Sequence, residues 1–193
     1  MAVSKREQLV ETALKLFCSG GFHATGIDRI LAESGVAKMT LYNHFKSKDE
    51  LILAALRLRD ERFRNSFMQD VERKTSDPIE RLLAMFDVLG KWCSSKGFTG
   101  CTFINASAEF SGHDDPIHQA AAEHKRLLLN YIRQLTEAAD LENPGELAEQ
   151  LNMLMEGAVV TVQVTGDCKI TQRARSAAEV LIRAAMPATS NHA

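Results

Sequence analysis

The chain has 193 residues, 45% of them hydrophobic and 25% charged, with a formal net charge of −2: an ordinary globular composition, matching one medium domain or a small domain joined to a larger one. That balance excludes a wholly basic polyanion binder, so any nucleic-acid contact must use a local patch. The four scattered cysteines (Cys18, Cys93, Cys101, Cys168) lack both CxxC spacing and the density of a disulfide scaffold; with no apolar leader and no apolar run near the ~20 residues that span a bilayer, the expectation is a cytoplasmic protein.

Helical spacing runs almost throughout, with no sustained period-two stretch, so the predicted class is all-α. Leu9, Ala13 and Phe17 recur every fourth residue from about Lys5, and Gly20-Gly21 ends that first helix. Thr25 reads as the N-cap of a second helix, Ile27 to about Ser34, with Asp28 as its capping partner. Gly35 suits a tight turn, and a short third helix covers about Ala37 to Phe45. Ser47 and Glu50 form an S-x-x-E capping box that opens a long fourth helix from Lys48 toward Asp70.

After the polar stretch "QDVERKTSDP", Pro78 opens a second all-helical part. One helix carries Leu82, Phe86 and Leu89 toward Trp92. The segment "KGFTGCTFINASAEF" follows, then a long helix from Ile117 to about Ala139, a turn at Asn143-Pro144-Gly145, and final helices over about Glu146–Val164 and Thr171–Ala185.

The third helix carries the most informative pattern. Leu41 and Phe45, four apart, share a buried face, which distributes Lys38, Thr40, Tyr42, Asn43 and His44 over the remaining surface. Lys46 and Lys48 add positive charge, and no Asp or Glu falls between Ser34 and Ser47. Such a surface suits a phosphate backbone, and three short helices with a glycine turn make a helix-turn-helix. The alternative is a plain solvated helix, although an exposed tyrosine on a helix barely two turns long fits that less well.

The stretch "GFHATGIDRILAESGVAKMTLYNHFKSKDELI" resembles the DNA-binding domain of the tetracycline-repressor (TetR/AcrR) family of bacterial one-component regulators, over about residues 5 to 55. The resemblance implies a helix-turn-helix domain over 1–55, connected by the fourth helix to an effector-binding and dimerisation domain over 56–187, with a tail at 188–193. It implies that Thr25 and Ser34 touch phosphates, that Lys38, Thr40 and Tyr42 enter the major groove, and that His44 and Lys48 grip the flanking backbone. Asn43 has the carboxamide that pairs with adenine. Ala37 stands where the family often has Ser, losing a cap worth ~1 kcal/mol. Met39 stands where Gly is frequent and puts an apolar side chain where the helix would meet DNA, suited either to contact a thymine methyl or to alter the docking.

The partners expected are double-stranded operator DNA, a second copy of the chain and a small effector. Twofold symmetry lets two short helices read two half-sites. The stripe that includes Leu151, Leu154 and Ala158, and another with Ala178 and Leu181, suit a dimer interface, with intramolecular core as the alternative. Met85, Trp92, Phe98, Cys101, Phe103, Asn105, Glu109 and Met155 are the candidate effector pocket, for a mainly apolar or electrophilic ligand; an aromatic and methionine set also serves as core. His113, His118 and His124, beside Asp114 and Asp115, read as surface residues rather than metal ligands. No cofactor is expected, and no P-loop, HExxH or GxSxG points to an enzyme.

Overall fold

A computed structural model describes residues 4–187; the tail expected over 188–193 lies outside the described residues. Among those residues the chain forms nine α-helices and no strand, the all-α class expected. They are α1 (Lys5–Gly20), α2 (Ile27–Ser34), α3 (Lys38–His44), α4 (Lys48–Glu72), α5 (Pro78–Cys93), α6 (Thr102–Glu109), α7 (Pro116–Ala138), α8 (Pro144–Thr165) and α9 (Lys169–Ala184). Two compact units result. One takes the described residues up to Phe63 together with Cys101–Lys125; the other takes Arg64–Gly100 and the residues from Arg126 onward.

The first unit is built on α1. Ser4 accepts from the Glu7 amide at 3.1 Å while the Glu7 carboxylate accepts from the Ser4 amide at 2.9 Å, a reciprocal capping box that fixes where the helix begins. The helix stops at Gly21, whose φ of 81° is a conformation that glycine adopts without strain. Its buried Leu9, Val10, Ala13, Leu16 and Phe17 give α2 and α3 a surface to pack on, and Phe17 stacks on Phe22 with ring centroids 5.2 Å apart.

The cap expected at Thr25 belongs instead to Gly26, and no side chain caps the start of α2. Thr25 is fully buried, and its hydroxyl donates to the Gly21 carbonyl at 2.7 Å. The loop between α1 and α2 thus satisfies a carbonyl at the end of α1 before it serves the next helix. Gly35 does make the turn: it is left-handed (φ 64°), and its amide donates back to Leu31 at 2.9 Å. At the start of α4, Ser47 accepts from the Glu50 amide at 3.2 Å, but the Glu50 carboxylate reaches Lys46 rather than Ser47, at 2.8 Å.

In the second unit, Asp77 caps α5 through the Glu80 amide at 2.9 Å, with Pro78 in the first turn. Leu82, Met85, Phe86 and Leu89 from α5, Leu151, Met155, Ala158 and Val162 from α8, and Ala174, Ala178 and Ile182 from α9 are buried. α9 packs against both α5 and α8. The small residues of α9 allow that approach, as the spacing of its alanines suggests.

Candidate nucleic-acid interface

No side chain caps the start of the seven-residue α3, so the helix is held by what it buries. Leu41 is fully buried and Phe45, just past the helix, nearly so, while the Arg6 guanidinium lies 5.3 Å from the Phe45 ring centroid. Fixing these two anchors turns the other side chains outward. Met39 is 74% exposed and Tyr42 46%; Lys38, Asn43 and His44 are exposed and Thr40 half-buried.

Two of the expected lysines have neighbours that the linear pattern does not show. Lys38 lies 3.7 Å from the carboxylate of Asp28, at the start of α2, so the acid-free run along the sequence is not acid-free in space. Lys48 donates to the His23 carbonyl at 3.2 Å. Thr25 and Ser34 are buried: Ser34 donates to Leu31 at 3.3 Å and accepts from the Val36 amide at 3.3 Å, and both hydroxyls serve the framework in the free chain.

The framework also includes a residue first assigned to the pocket. Glu109, at the end of α6, accepts from the Phe22 amide at 2.9 Å and from the His23 amide at 2.6 Å, and its Oε2 lies 2.9 Å from His23 Nδ1. The His23 ring stacks on Phe110, 4.6 Å between centroids. Partial burial pushes the Glu109 carboxyl up, but the His23 and Phe22 amides and the His23 ring together hold it below the ordinary carboxylate range.

The remaining pocket candidates divide between the two units. Met85, Trp92, Phe98 and Met155 belong to the second, where Trp92 and Phe98 meet edge to face at 5.0 Å. Cys101, Phe103 and Asn105 belong to the first. Cys101 is buried, and the Lys125 ammonium donates to its sulfur at 3.4 Å, a cation 24 positions away. Phe103 lines a cavity of about 390 Å³ with Leu53, Arg57, Asp60, Glu123 and His124 among its walls. His124 is not the surface residue expected: it is 2% exposed, stacks on Phe103 at 3.6 Å, and places Nδ1 2.7 Å from Asp60. Elements distant in sequence meet there, which is why no local pattern disclosed it. His118 is held by the Phe110 carbonyl at 2.8 Å.

Of the residues expected at a dimer interface, Leu151, Ala158 and Ala178 are buried within the chain itself, while Leu154 and Leu181 are half-buried. The apolar side chains that α8 and α9 leave exposed are Met153, Val160, Val164 and Val180. Met153, Gly157, Val160 and Val164 follow one another at helical spacing along one face of α8.

Comparison with known proteins bears on both parts of the chain. Residues 9–55 match the bacterial regulatory proteins of the tetR family, and residues 78–178 match the tetracyclin repressor-like C-terminal domain. The HTH-type transcriptional regulator YjdC of Escherichia coli is 24% identical over 93% of this chain and 94% of its own length, and LmrA of Bacillus subtilis, also an HTH-type transcriptional regulator, is 28% identical over 80% and 84%. The crystal structure of a TetR-family transcriptional regulator from Streptomyces coelicolor superimposes with a TM-score of 0.86 at 31% identity, covering 94% of this chain and 95% of that one.

Proposed function

Because the chain belongs to the tetR family of bacterial regulatory proteins, we propose that this DNA-binding regulator is a repressor that binds a pseudo-palindromic operator as a homodimer and is released by a small effector. In this reading residues 1–55 are the DNA-binding domain, and residues 56–187 carry effector binding and dimerisation. The observation that carries it is the outward face of α3, where Lys38, Met39, Thr40, Tyr42, Asn43 and His44 stand on two buried anchors. Tyr42 and Asn43 read base edges, Met39 meets a thymine methyl, and His44 and Lys48 grip the phosphates. Thr25 and Ser34 act by holding the turn.

The effector site is the cavity beside Phe103 and His124. Its aromatic and leucine walls suit an apolar body, and Arg57, Asp60 and Glu123 suit one polar or charged group. Phe103 and Glu109 occupy opposite ends of the same two-turn helix. A ligand that displaces Phe103 therefore strains the Glu109 clamp on the loop before α2, and a coupling of ~1 to 3 kcal/mol changes operator affinity about 5- to 150-fold. The Lys125 ammonium at Cys101 favours a second reading in which the effector is an electrophile; unchanged effector potency in Cys101→Ser removes it.

Selection of genomic fragments on the purified protein tests the function directly, and the expected product is an inverted repeat. At that site Tyr42→Ala costs ~1 to 3 kcal/mol, whereas Lys48→Ala weakens all sequences alike and lowers the salt slope by ~1 per subunit. Recovery of no enriched repeat overturns the reading.

A further inference from the structure

Cys93 and Cys168 lie 75 residues apart in sequence, and α5 and α9 bring them together. The two helices run antiparallel in a fixed register. Arg175 Nε donates to Asp87 Oδ1 at 3.1 Å. One turn on, a Cβ placed on Gly90 falls 3.6 Å from the Thr171 Cβ and 2.9 Å from its hydroxyl oxygen. One turn further, the Cys168 sulfur is 3.6 Å from the carbonyl oxygen of Cys93.

The Cβ separation at Gly90 and Thr171 already falls within the ~3.5 to 4.5 Å that a disulfide spans, and the same register carries the two cysteines to each other at the next turn. Both thiols are free. We infer that Cys93 and Cys168 form a reversible intramolecular disulfide, which makes the pair a modification site for hydroperoxide-class oxidants.

The two cysteines are not equivalent. Cys168 is half-buried and lines an open groove of about 400 Å³ whose charged walls are Lys91, Lys169, Arg175 and Asp87. Cys93 is buried; burial, with the neighbouring Cys168 thiol, pushes its own thiol up to about 11. Oxidant therefore meets Cys168 first. The Cys168 thiol gives up its proton, the thiolate attacks a peroxide oxygen, the O–O bond breaks, and the leaving hydroxide takes that proton, so the products are a sulfenic acid and one water. Cys93 then gives up its proton, its sulfur attacks the Cys168 sulfur, and the hydroxyl of the sulfenic acid leaves with that proton as a second water. In sum, two thiols and one hydrogen peroxide give one disulfide and two waters.

The test uses the reduced, intact protein and hydrogen peroxide, followed by alkylation under denaturing conditions and peptide mapping. The expected result is that alkylatable thiols fall from the four in the chain to two, with one crosslinked peptide joining Cys93 to Cys168 that dithiothreitol separates. In Cys93→Ser the oxidised Cys168 is trapped as a dimedone adduct; in Cys168→Ser, Cys93 remains alkylatable. Circular dichroism confirms that each variant is folded. The inference fails if the native protein keeps both Cys93 and Cys168 alkylatable, or if the crosslink joins another pair or two copies of the chain.

Discussion

Glu109 receives two consecutive backbone amides and sits against the His23 ring, so losing its charge loosens the loop that leads into the recognition part of the fold. Its carboxyl titrates lower in the folded chain than in the unfolded one. The folded state then binds fewer protons, and the stabilisation is fully present above the ordinary value near 4.5 and fades as pH falls through the folded value. Thermal unfolding measured from about pH 6 down to about pH 3 should show Glu109→Gln less stable than the unmodified chain at the upper end, with the two curves converging at the lower. Glu11, held low chiefly by its hydrogen bond from Arg62, remains in the variant, so the acid limb is flattened rather than abolished. At this scale much of the site is illegible in sequence. Leu41 and Phe45 were readable because one helix period decides their direction. Glu109 with His23, His124 with Asp60, and Cys101 with Lys125 are joined across 86, 64 and 24 positions, and no local period encodes those meetings.

Among the elements, α3 is the least self-sufficient. An isolated helix of seven residues does not persist in water, and this one begins at Ala37, whose extended backbone (φ −64°, ψ 144°) supplies the N-cap geometry without a side chain to use it. Ala37→Ser supplies the missing acceptor and should stabilise the protein by ~1 kcal/mol, read as a shift in the chemical denaturation midpoint at unchanged slope. A neutral or destabilising result would mean that packing on Leu41 and Phe45 already fixes the first turn. Helix boundaries were more legible than caps. The order of α1 to α5 follows from glycine stops, proline starts and the apolar period, whereas the Thr25 cap failed because its hydroxyl was drawn to the Gly21 carbonyl just past α1, a competition that capping rules alone do not weigh.

For the whole molecule, the proposed homodimer turns on which surface would pair with a second copy. Val164 is 78% exposed and ends the stripe of Met153, Gly157 and Val160; Val164→Arg should leave helical content unchanged and weaken the dimer by on the order of 3 kcal/mol, the cost of burying an unpaired charge. Sedimentation at micromolar concentration should then show the unmodified chain as a dimer and the variant as a monomer, and a variant that stays dimeric would move the interface elsewhere. The expected stripes on α8 and α9 include residues on the inward faces of those helices, since periodicity identifies an apolar face without saying what covers it. The close approach of α5 to α9 carries a different consequence, for descent. Any side chain at position 90 meets Thr171 at 2.9 Å, so replacing Gly90 forces an adjustment that changes the spacing of the cysteines one turn away. Relatives that keep both cysteines should therefore keep glycine at 90, and lineages that enlarge it should have lost one of the pair: positions 90, 93 and 168, far apart in sequence, inherited as one trait.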